Sequence, residues 1–190
     1  MDDRNKYFGN ENYGVIVEFL RGQRADWDGR WLREIRTWDY DRLEEDHQYI
    51  QWLFPLTTES EVVFAPTLRI FEVALLREDP QLRQTLVASF CQMLAFYGYD
   101  LRWEGDKCMV VPSEQHSQRA RVWMTPENHN YRRISRILGA LMLARLESHT
   151  RAFLEALERL YDTPDGAAGI DQLAMWYWRH QFPPNEQSPP

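Results

Sequence analysis

Apolar positions recur every three or four residues along most of the chain and every second residue in one place, and that contrast divides it into predicted elements. NYGVIVEFLRG at 12–22 reads as a short helix or an extended entry segment, stopped by Gly22. Trp27, Trp31, Ile35 and Trp38 then follow at steps of four, four and three, which predicts an aromatic stripe on one helix face. Asp39 is read as an N-cap. The helix predicted from it runs through YDRLEEDHQYIQWLF, with acids in its early turns where the helix dipole favours them, until Pro55 ends it. TTESEVVFAP at 57–66 is read as a loop, and Pro66 stands at a first helical position ahead of Leu68, Phe71, Val73, Leu75 and Leu76. Asp79 and Pro80 are the cap and first residue of the next helix, whose Leu82, Leu86, Phe90, Met93 and Leu94 keep helical spacing to Gly98.

The period then changes. Leu101 and Trp103, and Cys108 and Val110, flank EGDK, the mark of a β-hairpin. Helices are predicted again at 113–124, at 127–146 with Ile134, Ile137, Leu138, Leu141 and Met142 inward, and at about 148–161 with Phe153, Leu154, Leu157 and Leu160 inward. DTPDGAAG is read as a break before a last amphipathic helix, IDQLAMWYWRHQF. The predicted fold is mainly α: a single compact helical domain over 1–182, of about six to eight helices, with one short β-hairpin near 99–111 and a disordered Pro-rich tail at 183–190. The polar start at 1–11 is read as frayed.

Composition sharpens this picture in three ways. The 14% of aromatic residues, with Trp 8 among them, means either an aromatic core or a face built to bind. The net charge of −7 argues against broad electrostatic binding to nucleic acid or to an anionic membrane. Cys91 and Cys108 do not form a C-x-x-C pair, and the start shows no apolar signal region. A cytoplasmic, reducing compartment with free thiols is therefore expected, with Cys91 a small core residue. No apolar run approaches ~20 residues, so no transmembrane segment is expected.

Candidate chemistry gathers in two places. Glu44 and His47 form Glu-x-x-His, the spacing of di-iron helical bundles, but such a site needs a second pair. Glu114 and His116, Glu127 and His129, and Glu147 and His149 are each two apart and do not share a helix face. No metal, no cofactor and no catalytic residue is therefore expected: there is no G-x-S-x-G elbow and no phosphate-cradling glycine loop. His47 and Gln51, at i and i+4, would form a polar pair facing a groove or a satisfied contact between helices. Trp27, Trp31, Trp38, Tyr49, Trp52 and Phe54 are either core or a groove for a partner's side chains. The second place is basic. Arg119 and Arg121 precede the helix of Arg132, Arg133 and Arg136, and Arg132 and Arg136 share one side of it below an N-terminus at Asn128–Asn130. That stretch is either a solvated face with ordinary capping or a site for an anion or acidic peptide.

DYDRLEEDHQYIQWLFPL at 39–56 closely resembles the signature D-Y-x-x-L-E-x-x-H-x-Y-I-Q-W-L-F-P-L of the opioid growth factor receptor conserved domain. It matches at Asp39, Tyr40, Leu43, Glu44, His47, Tyr49, Ile50, Gln51, Trp52, Leu53, Phe54 and Pro55. MLAFYGYDL at 93–101 is similar to that family's M-L-x-F-Y-G-x-x-L, and NHNYRRISRILGAL at 128–141 to its N-H-x-x-R-I-T-R-I-L-x-x-L, with Ser135 where the family often has Thr. The resemblance covers about residues 5–160. It implies a non-enzymatic receptor-type domain; vertebrate members are described as receptors for the opioid pentapeptide methionine-enkephalin, associated with the nucleus and its envelope. It carries no ligand-binding residue set onto this chain.

The resulting expectation is a binding domain for a peptide or protein segment, with His47, Tyr49, Gln51, Trp52, Asn130, Arg132 and Arg136 as candidate ligand-binding residues. Two alternatives stand beside it. One is an enzyme acting on a phosphorylated or nucleic-acid substrate, with Glu44 and Asp46 as acids, His47 as base and the arginines as a clamp. The other is a structural interaction module. Natural ligand and oligomeric state are left open.

Overall fold

A computed structural model describes residues 14–58 and 65–181. The start read as frayed and the tail at 183–190 lie outside the described residues, as does most of the loop read at 57–66. The chain divides into two compact units. The first holds the described residues up to Phe96 together with Leu143–Arg145, and the second holds Tyr97–Met142 and the described residues from Leu146 onward.

In the first unit, α1 (Gly14–Leu20) buries Ile16, Val17, Phe19 and Leu20 and stops where Gly22 N–H donates to the Phe19 carbonyl at 2.8 Å. The stripe predicted over 26–38 does not lie on one helix, because α2 is only Leu32–Ile35. Asp26 is the reason. Its carboxylate accepts from Asp28 N at 3.0 Å and from Arg30 N at 2.8 Å, so a side chain competes with the helical ladder and holds Trp27 in a loop. The long helix predicted from Asp39 is likewise two pieces, α3 (Tyr40–Glu45) and α4 (Ile50–Leu53). α5 (Ile70–Glu78) starts later than Pro66. α6 (Pro80–Tyr97) starts as predicted, with Asp79 Oδ1 accepting from Gln81 N at 2.8 Å. α1 packs on α4 and α5. Phe19 and Trp52 lie 5.1 Å apart between ring centroids, and Trp27 meets the same Trp52 edge-on at 5.4 Å. Phe19 and Trp52 are buried, each contributing about 1.5–3 kcal/mol, while Trp27 is half-buried. Cys91, expected inside, is exposed, because α6 turns Leu82, Leu86, Phe90, Met93 and Leu94 inward and Cys91 falls one step off that face.

The second unit opens with the predicted hairpin: β1 (Tyr99–Glu104) pairs antiparallel with β2 (Lys107–Pro112), Leu101 opposite Val110 and Trp103 opposite Cys108. Gly105, at φ 59°, takes the first central position of the two-residue turn, which only a residue free of Cβ strain accepts cheaply. α7 (His116–Trp123), α8 (Asn130–Leu143) and α9 (Glu147–Tyr161) follow as the spacing predicts. α9 lies against β2, and Arg159 Nη2 donates to the Val110 carbonyl at 2.9 Å. The DTPDGAAG stretch breaks the helical run after α9 at Tyr161, as read, and then forms a short helix of its own that the spacing does not predict. In α10 (Pro164–Gly169), Thr163 Oγ1 accepts from Gly166 N at 3.0 Å and Pro164 pre-sets the first turn, which outweighs the glycine content. α11 (Gln172–Arg179) buries Met175 and Trp178 and leaves Leu173, Trp176 and Tyr177 outside. The described residues thus hold more helices than the spacing predicts, because capping side chains cut long segments into short ones. None of these helices is long and apolar enough to cross a membrane.

Candidate functional site

The break inside 39–56 is made by Asp46. Its Oδ1 accepts from Gln48 N at 2.9 Å and Tyr49 N at 3.3 Å, and its Oδ2 accepts from Arg30 Nη1 at 2.5 Å. Arg30 in turn donates through Nε to the buried Asp26 at 2.6 Å. Burial alone would depress the Arg30 guanidinium, but Asp26 and Asp46 outweigh it and hold the group above its ordinary value. Asp46, an acid in the enzymatic alternative, is therefore fully engaged in holding two loops together. Beyond the break, Tyr49 and Trp52 are core rings, 0% and 3% exposed. The Tyr49 hydroxyl donates to the Leu43 carbonyl at 3.1 Å, and Trp38 meets its ring edge-on at 5.5 Å. Gln51 is buried with its amide against the Gln48 and His47 carbonyls, to which its nitrogen donates at 2.8 and 3.2 Å. His47 is exposed in the break itself.

The other predicted residues belong to the second unit. Asn130, at the start of α8, is fully buried. Asn128 Oδ1 accepts from Asn130 N and Nδ2, both at 3.0 Å, and Asn130 Oδ1 accepts from Arg133 Nη1 at 3.3 Å. The stretch caps its own helix by inward hydrogen bonds. Arg132 is exposed, and Arg136 is partly buried, its guanidinium lowered by desolvation. Among the described residues no group of three His, Cys, Asp or Glu side chains gathers where a metal ion could be held.

A concave feature lies elsewhere in the first unit: a cleft of ≈ 230 Å³ between the end of α1, the residues around α2 and the first turns of α6. Leu20, Trp31 and Leu32 form its apolar wall, and Arg21, Arg33 and Arg36 give it three guanidinium groups. Each arginine is held differently. Arg21 is offset by Asp79 at 2.7 Å, a pairing that draws the carboxylate below its ordinary value. Arg33 lies 4.7 Å from the centroid of the Trp31 ring, a cation–π contact that orients it without neutralising it. Arg36 is exposed as a residue, but its guanidinium is partly desolvated where Nη2 donates to the Thr85 carbonyl at 2.9 Å, and with no carboxylate beside it that desolvation lowers the group. The acid between them, Glu34, is turned back to accept from Trp31 N at 2.7 Å. Guanidinium groups of this kind pair chemically with carboxylate and phosphate oxygens.

Comparison with known proteins places the chain. The model of the opioid growth factor receptor conserved region matches residues 26–163. The chain belongs to the opioid growth factor receptor family. It is 33% identical over 159 residues to the opioid growth factor receptor of Homo sapiens, covering 77% of this chain and 23% of that protein. To the receptor of Rattus norvegicus it is 36% identical over 127 residues, 64% of this chain and 22% of the relative. To the opioid growth factor receptor-like protein 1 of Xenopus tropicalis it is 33% identical over 117 residues, 60% and 22%. The chain thus spans less than a quarter of the length of these curated relatives. No solved structure matches it.

Within the opioid growth factor receptor conserved region, the cleft residues Trp31, Arg33, Arg36 and Thr85 all fall inside the matched span. Helical spacing makes Trp31 one ring of an aromatic stripe, and the basic cluster that stands out along the chain is the one near α8. The available signal was WLREIR, two arginines three apart beside a tryptophan. What it lacked was Arg21 and Thr85, which only the fold carries to the same spot.

Proposed function

We propose that this opioid growth factor receptor domain is a non-enzymatic binding module that takes a peptide or protein segment in the Arg21–Trp31–Arg36 cleft of its first unit. The single observation behind this reading is a concave site with an apolar wall and two guanidinium groups, Arg33 and Arg36, that no carboxylate among the described residues neutralises. The relatives are named receptors, and a receptor's work is to hold a ligand. Tyr49 and Trp52, buried as they are, act through the core that supports α1, while exposed His47 and Arg132 remain candidate contacts outside the cleft.

The test is selection from a random peptide library on the whole chain, followed by titration of the selected peptides against Trp31→Ala, Arg36→Ala, His47→Ala and Arg132→Ala. Loss of about tenfold or more in affinity on the first two changes supports the cleft. Binders that ignore Trp31 and Arg36 and respond to His47 or Arg132 place the site elsewhere and end this reading.

A further inference from the structure

We propose that the anion received by the cleft is a phosphoryl group on a peptide side chain, gripped by Arg33 and Arg36; this rests on the peptide-binding reading above. Charge accounting favours it. Of the three guanidinium groups lining the cleft, Arg21 is compensated by Asp79. Glu34, the acid between the two arginines in sequence, is turned to the Trp31 backbone. Arg33 and Arg36 have no carboxylate partner among the described residues, which leaves two uncompensated positive charges on residues lining one concavity in a chain of net charge −7. A carboxylate supplies one negative charge and neutralises half of that. A phosphoryl group carries about −1.5 to −2 at neutral pH and offers three acceptor oxygens, enough for two guanidinium forks.

Geometry adds to the charge. The Trp31 ring and the Thr85 carbonyl each hold one guanidinium by a contact that leaves N–H donors over, so both are fixed before a ligand arrives and less side-chain entropy is lost on binding. The ≈ 230 Å³ volume lies below the ~300–1,000 Å³ of sites that swallow whole small molecules, and fits the end of one side chain. Leu20, Trp31 and Leu32 beside the arginines offer apolar surface to the residue flanking the phosphorylated one.

The test uses the full chain and three peptide libraries of degenerate flanks around a fixed centre: phosphoserine or phosphotyrosine, glutamate, and unmodified serine or tyrosine. Affinities of the enriched peptides are read by fluorescence polarisation, with circular dichroism checking that each variant is folded. Arg33 and Arg36 are both exposed, so Arg33→Ala, Arg36→Ala and the charge-keeping Arg36→Lys are chosen to leave the core intact. The expected result is phosphopeptides binding at least tenfold tighter than their glutamate versions. Either alanine change should lose that margin, and Arg36→Lys should lose part of it because a point charge replaces a fork. Glutamate peptides binding as tightly as phosphopeptides, with the same dependence on Arg36, would overturn the phosphoryl assignment and leave the peptide cleft standing. No library binding through the cleft would overturn both.

Discussion

At the scale of single residues, two tyrosines show what a buried hydroxyl costs. Tyr99 is 2% exposed and its hydroxyl has no partner among the described residues. The Tyr131 hydroxyl lies 2.7 Å from the Thr125 carbonyl and 2.6 Å from the Gly169 carbonyl. Burial raises both phenols above their ordinary value of 10.0. The folded chain therefore keeps protons that the unfolded chain gives up, so the stabilisation is complete below pH 10 and is lost as pH rises above it. Denaturant midpoints measured across neutral and alkaline pH should fall only on the alkaline side. Tyr99→Phe should leave neutral-pH stability within about 0.5 kcal/mol, since it removes an unpaired hydroxyl, and should soften the alkaline fall. Tyr131→Phe should cost about 1–2 kcal/mol, because it removes the one hydroxyl proton that lies between the Thr125 carbonyl and the buried Gly169 carbonyl. At this scale the sequence was a partial guide. Tyr49 and Trp52 are visibly large and apolar, but whether such a ring faces a ligand or a core depends on which helix covers it, and here Phe19 and Trp27 close over Trp52.

At the scale of elements, the legible ones are those whose apolar spacing runs unopposed: α6, α8, α9 and the hairpin. α3 starts at its Asp39 cap as read, but the segments of α2, α3 and α4 are cut shorter than the spacing predicts and α10 is an added helix, for a common reason. Asp26, Asp46 and Thr163 each offer a side-chain acceptor to backbone N–H groups, and one such bond can stop or start a helix against the local pattern. Two glycines test how tightly the second unit's elements are joined. Gly98 ends α6 at φ 86°, and a Cβ there would sit 2.8 Å from His116 Cα, which is backbone and cannot swing aside. Gly105 in the hairpin turn has φ 59° and open space around it. Gly105→Ala should cost about 1–2 kcal/mol from the left-handed backbone alone. Gly98→Ala should cost more, about 2–4 kcal/mol, because the close approach of α7 adds to that strain. Equal losses in chemical denaturation would show that α7 moves freely away from the α6–β1 corner.

At the scale of the whole molecule, sign and location of charge oppose each other. The net charge of −7 repels an anionic peptide at a distance, while Arg33 and Arg36 attract it at contact. Salt weakens both, and at physiological strength the Debye length is about 8 Å, so the long-range part is already screened. Affinity of an anionic peptide for the cleft should therefore change less than about tenfold between about 0.05 and 0.5 M salt. A hundredfold fall in a fluorescence titration would reveal a broad basic field that this composition does not hold. What the order of residues determined by itself was the mainly helical class, the hairpin at its EGDK turn, and the family signature at 39–56, because spacing, turn chemistry and a run of identities are local properties of the chain. The tertiary structure decided which aromatic rings are inside, that Asp26, Arg30 and Asp46 knit the signature segment to the loop before it, and that Arg21, Trp31, Arg36 and Thr85 share one cleft. Those are facts about residues far apart in sequence, brought together by the burial of faces that no local pattern pairs in advance.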